Sequence, residues 1–173
     1  FFAGRVASCT HAAFSSTRVM GTGCSQGQAV GTAAALATHY DISPREVKQH
    51  TKKLQQTLSR QDCYLPRVPL DIPEICAKSS LEASYSDPEP LRDGWGRQID
   101  DAPHAWFARP GDWASYHFPE EAFVTEAVLT LDSALQKDIQ LSYHGPYQEL
   151  DAPPDVMPKA FRVEGYKNGE WQE

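Results

Sequence analysis

Residues 1–40 read FFAGRVASCTHAAFSSTRVMGTGCSQGQAVGTAAALATHY, and the rest of the chain is organised around them. Phe1 to Ala3 make a short apolar strand candidate that breaks at Gly4-Arg5. A loop of small and hydroxylated residues follows, then a run rich in Ala and Gly that predicts a helix ending near His39. Ser25 is placed to be the N-cap of that helix, with Gln28 three residues later closing a capping box. Gly27 and Gly31 fall one turn apart on one helix face, where the lack of side chains lets another backbone or a flat ligand approach closely. A helix start with outward N–H groups also favours negative charge. The competing account of such a run is a tightly packed internal helix.

The order A-G-R-x-x-S-x-x-H-x-A-x-x-S-x-R-V, then G-Q-A-x-G-x-A-A-A-L-A, resembles the C-terminal flavin-contacting segment of FAD-dependent oxidoreductases related to the glutathione-reductase type. It is carried by Gly4, Arg5, Ser8, His11, Ala13, Ser16, Arg18, Val19, Gly27, Gln28, Ala29 and Gly31 and covers roughly the first sixty residues. Val30 stands where the family usually has Ala. The resemblance implies FAD as cofactor, with Ser25, Gly27, Gln28, Ala29 and Gly31 at the flavin's pyrimidine edge. It also marks His11 and Arg18 as the polar groups that face substrate or flavin. Imidazole titrates near neutrality and suits proton transfer; a guanidinium holds a carboxylate or a reduced flavin. A loop hydrogen bond for His11 and a structural ion pair for Arg18 are the competing accounts.

The chain has 173 residues, enough for one mid-sized domain or two small ones. It begins at Phe inside an apolar run, carries no G-x-G-x-x-G fingerprint, and reads as an internal piece of a longer protein that would not hold FAD tightly or turn over alone. No apolar stretch is long enough to span a bilayer. A net charge of −7 argues against nucleic acid, because phosphate binding needs clustered Lys and Arg. The cluster of Arg45, Lys48, Lys52 and Lys53 reads as a solvated helix face. The four cysteines have neither C-x-x-C nor His spacing, so no metal site is expected; a redox role for Cys9 or Cys24 is a minor alternative to idle thiols.

A second helix is punctuated by Ser43 as cap, Pro44 at its first position and Glu46 completing a capping box, with Val47, Thr51, Leu54 and Leu58 as its buried stripe. The prolines of CYLPRVPLDIP suit an extended or edge segment. Residues 1–75 therefore form the oxidoreductase part, and 76–93, rich in Ser, Asp, Glu and Pro, a linker.

Residues 94–173 turn to aromatics and period two. Strands are expected at Trp113–Phe118, Val124–Asp132, Ile139–Tyr143 and Phe161–Tyr166, with Asn168-Gly169 as a hairpin turn. The order W-x-x-Y-x-F, V-x-x-x-x-L-T-L-D and F-R-V-E-x-Y-x-N-G-x-W resembles a discoidin or galactose-binding-like sandwich. Trp95, Trp106, Trp113 and Trp171 are expected as core anchors, with glycan contact as the alternative. His104, His117 and His144 lack metal spacing, and the proline-rich loop 145–158 is expected at one end of the sandwich. The fold class is thus α+β: the helical tail of an FAD-binding α/β domain followed by a partial antiparallel β-sandwich. The function is that of the flavin-contacting part of an FAD-dependent oxidoreductase acting on a small molecule of unknown identity. The alternative is a carbohydrate- or partner-binding module without catalysis.

Overall fold

In the computed structural model, which describes residues 1–132 and 155–173, the chain is α+β. It divides into two compact units, one of residues 1–77 with 92–95, the other of residues 78–91 with 96–173.

In the first unit a 3₁₀ turn, Gly4–Val6, precedes α1 (His11–Thr17) and α2 (Met20–Tyr40). Phe1–Ala3 do not form the expected strand: Gly4 enters the turn at φ +62, and no described strand lies alongside to complete a ladder. The loop expected before α2 is in fact α1, started by Thr10, whose hydroxyl accepts from the Ala13 N–H at 3.4 Å. At its far end α2 stops in a left-handed cap, with Asp41 at φ 51. The Asp41 N–H returns to the Thr38 carbonyl and the Ile42 N–H to the Ala37 carbonyl, a Schellman arrangement that throws Ile42 back onto the helix. Ile42 joins Leu54 around a small core of Ala33, Ala37 and Val47.

The second helical segment does not start at Ser43 as the punctuation predicts: it begins at Glu46, with Arg45 as an N-cap that makes no side-chain bond, and only the reach of Glu46 back to Ser43 is as expected. The Glu46 carboxylate accepts from the Ser43 N–H at 2.8 Å and from the Ser43 hydroxyl at 2.6 Å. Those bonds, hydroxyl first, hold the Glu46 carboxyl below its ordinary pKa of 4.5. The first turns, Glu46–His50, are 3₁₀, and only Thr51–Arg60 (α3) is α-helical. Val47 and Leu58 are buried and Leu54 half-buried, whereas Thr51 is exposed. The proline-rich stretch after α3 runs without regular structure. It is tied back by Gln56, whose amide donates to the Pro69 carbonyl at 2.9 Å and accepts from the Asp71 N–H at 2.8 Å. The Leu70 N–H bonds the Gly94 carbonyl at 2.9 Å, and a Cβ on Gly94 would sit 2.5 Å from the Leu70 oxygen, so only glycine fits there. A short helix, α4 (Glu74–Lys78), ends the segment.

The second unit holds two separate two-stranded antiparallel sheets among the described residues. One pairs β1 (Ser80–Ala83) with β2 (Ala114–His117), Ser80 opposite His117 and Ala83 opposite Ala114. The segment read as a linker thus carries a strand. Leu81 and Ala83 face inward while Ser80 and Glu82 face out, the alternation of a half-buried strand. Arg109-Pro110-Gly111-Asp112 forms a turn with the Asp112 N–H on the Arg109 carbonyl and Gly111 at φ +96, as a Pro-Gly turn requires. The Asp112 carboxylate accepts from the Arg109 N–H and the Ser84 hydroxyl, pinning the turn to the end of β1.

The other sheet is the expected Asn-Gly hairpin, β3 (Gly165–Lys167) with β4 (Glu170–Gln172). Asn168 and Gly169 both adopt positive φ, 54 and 89, as a type I′ turn demands. Val124–Asp132 forms no strand, and the expected strand Ile139–Tyr143, with His144 and most of the 145–158 loop, lies outside the described residues. The further pairing a sandwich needs is not found among the described residues. Nor do all four tryptophans anchor a core: Trp95 and Trp106 are half-buried, but Trp113 and Trp171 are more than half exposed. Trp171 instead packs edge-on to Tyr166 across the hairpin at 5.2 Å.

Candidate functional site

The first unit carries its candidate residues on α1 and its C-cap and around α2. His11 and Phe14 on α1 and Arg18 at its C-cap recur at helical spacing. The His11 ring stacks on Phe14 with centroids 6.5 Å apart, and the Arg18 guanidinium sits 4.4 Å above the same ring. Arg18 also donates to the Arg5 carbonyl at 3.0 Å. The two polar residues singled out from the sequence are therefore gathered around Phe14, both of them exposed. For Arg18 the structural ion pair gives way to a cation–π contact and a backbone hydrogen bond, a contact worth about 0.5–1 kcal/mol at an exposed site.

Ser25 is not a helix cap. Helix α2 begins five residues earlier, at Met20, with Val19 as an N-cap that supplies no side-chain bond. The Gly21-Thr22-Gly23 stretch contains nothing that must end a helix, and the Ser25 hydroxyl donates back to the Gly21 carbonyl at 3.3 Å, so it needs no terminal N–H. The uncapped first-turn N–H groups accordingly lie at Met20 to Thr22, next to Arg18, rather than beside Gly27.

Gly27 and Gly31 are both exposed, and a Cβ added at either would meet nothing within 4 Å. Their face of α2 is open, while Ala33 and Ala37 on the opposite side are buried. Ala29, two residues from either glycine, lies on the far side of the helix with Ala33 and is half-buried. Gln28 is turned away: its amide and the Thr32 hydroxyl each reach the Gln61 side-chain oxygen at 3.4 Å, joining α2 to the end of α3.

Gln26 has a role that sequence reasoning missed. Its oxygen accepts from the Gly4 N–H at 2.8 Å and its nitrogen donates to the Thr17 carbonyl at 3.4 Å, so one side chain holds both the first turn and the end of α1 against α2. One of two long amides, Gln26 and Gln28, within a run of small residues was the available signal; its partners are fixed only by the fold. All four cysteines are free thiols, and Cys9 accepts a bond from the Thr17 hydroxyl at 3.3 Å. No group of His, Cys, Asp and Glu suited to a metal ion occurs among the described residues, and no described helix is long and apolar enough to cross a membrane.

The sequence model of the family described as FAD dependent oxidoreductase matches residues 1–58, the stretch that holds α1, α2 and most of α3. The opening third of the chain is similar to that family. No curated protein and no solved structure matches the chain.

Proposed function

We propose that residues 1–58 are the part of an FAD-dependent oxidoreductase that lies against the isoalloxazine ring. The observation that carries this reading is the coincidence of the family match with the open glycine face of α2. The residues fit the group: a planar ring system can approach a face where no side chain stands out at Gly27 and Gly31. The uncapped first turn, Met20 to Thr22, offers N–H groups and a dipole that favour an anionic ring edge by about 0.3–1 kcal/mol.

When bound, the flavin supplies the electron chemistry. This chain's own residues orient and tune. The backbone at Gly27 and Gly31 sets the approach distance, and Gln28 steadies α2 through Gln61; Ser25 and Ala29 stand on the far side of the helix. Arg18, held by Phe14 and the Arg5 carbonyl, presents fixed positive charge near the start of α2. His11 is the group that would move a proton between its ring nitrogens and a small-molecule substrate. The finer assignment to the glutathione-reductase type rests on the order of residues from Gly4 to Gly31 alone.

The test is the visible absorption spectrum of the protein purified from its full gene. A flavin spectrum that bleaches on reduction supports the reading. A folded, colourless protein that cannot be loaded with FAD overturns it, and leaves the carbohydrate- or partner-binding alternative for residues 94–173.

A further inference from the structure

The two units differ sharply in charge. Residues 1–77 with 92–95 carry nine Lys or Arg against six Asp or Glu, whereas the remainder carries seven against seventeen. Three of those nine, Lys52, Lys53 and Arg60, stand exposed on α3. There Gln49, Lys52, Lys53, Gln56, Arg60 and Asp71 line an open groove of about 650 Å³. Asp71 pairs with Lys52 at 2.9 Å, and Gln56 is held by the backbone of residues 69–71. Lys53 and Arg60 have no ion-pair partner among the described residues. Glu46, the nearest acid upstream in sequence, is already engaged with Ser43.

The second unit presents an opposite feature. From Glu121 to Asp132 the chain has no regular structure, and Glu120, Glu121 and Glu126 are exposed. Phe123 among them is 92% exposed, an apolar side chain left in water.

We propose that the basic groove on α3 is a docking site for the acidic segment Glu120–Glu126 of a second copy of this chain. Two cations set along an open groove, with the apolar stems of lysines between them, suit an extended acidic peptide that carries an apolar side chain. Lys53 and Arg60 are seven residues apart, about 10 Å along one face of the helix. Glu121 and Glu126 span at most about 16 Å in extended chain, a gap that long flexible side chains close. Phe123 between them meets the aliphatic stems of Lys52 and Lys53. Reciprocal exchange of segments makes a closed pair with the same contact used twice. The proposal is independent of the flavin reading.

Sedimentation equilibrium of the whole chain tests it. The expected result is a concentration-dependent dimer at about 0.15 M salt that weakens at least about tenfold near 1 M, where charges more than about 3 Å apart are screened. Lys53→Glu with Arg60→Glu, and separately Glu120→Lys with Glu121→Lys and Glu126→Lys, each give a monomer with an unchanged circular dichroism spectrum. Mixing the two variants restores a dimer, because each reversed groove meets a reversed segment. A wild-type monomer at all concentrations, or a dimer indifferent to salt and to both reversals, overturns the proposal. A monomer whose α3 resonances shift with inorganic phosphate also overturns it, and makes the groove a small-anion site.

Discussion

The Gln26 side-chain oxygen accepts the Gly4 N–H at 2.8 Å, a half-buried bond between residues 22 apart in sequence. Few other described bonds join the opening residues to α2, and Phe2 and Val6 beside Gly4 are largely exposed. Gln26→Ala leaves the Gly4 donor without its partner and is expected to cost about 1–3 kcal/mol. Amide hydrogen exchange checks it: Gly4 should lose protection first, with the middle of α2 unaffected.

Leu58 is 3% exposed, in a first unit with few buried side chains. Leu58→Ala should destabilise that unit by about 2–5 kcal/mol, a large part of what a small domain has. Urea unfolding followed by helical circular dichroism gives the value. An unchanged midpoint would mean that α3 is not packed as described.

The Ser43 bonds hold the Glu46 carboxyl below its ordinary value, so the capping contributes stability above the unfolded pKa near 4.5. That contribution is lost as pH falls through the depressed folded value. Carbon-detected titration of Glu46 should show a midpoint below 4.5, and Ser43→Ala should bring it back up. Because the group is fully exposed, the effect on global unfolding is small, and the midpoint is the quantity to measure.

Gly27→Ala and Gly31→Ala separate the two accounts of α2. A methyl group there meets nothing within 4 Å, and alanine favours a helix over glycine by about 0.8–1 kcal/mol. Each substitution should therefore raise the thermal stability of this chain. If the face receives a flavin, the same substitutions lower FAD retention in the protein from the full gene; stabilisation with unchanged retention would put the flavin elsewhere.

At the far end, Gly169 has φ +89 at the second position of the hairpin turn. Gly169→Val should cost about 1–2 kcal/mol and open the hairpin. The ring-current shifts from the Tyr166–Trp171 contact report on it directly.

What could be read from residue order alone was chiefly local. The Glu46 contact with Ser43, the burial of Val47, Leu54 and Leu58 and the Asn168-Gly169 turn each depend on side chains a few positions apart, and each is present, although Thr51 of the expected stripe is exposed and the helical turn begins at Glu46, not after Ser43. The α+β character and the family likeness of the first 58 residues were legible for the same reason. Tertiary structure decided the rest. Ser25 has every local mark of a cap, yet α2 continues upstream through two glycines, because the backbone finds i→i−4 partners there. Val124–Asp132 alternates as a strand should, but a strand exists only where a second one supplies its hydrogen bonds, and none of the described residues does so. β1 arose instead in a stretch whose composition suggests a linker, because β2 lies alongside to pair with it. The meeting of His11, Phe14 and Arg18 combines both levels: their spacing is written in the sequence, and the Arg5 carbonyl that holds Arg18 is supplied by the fold.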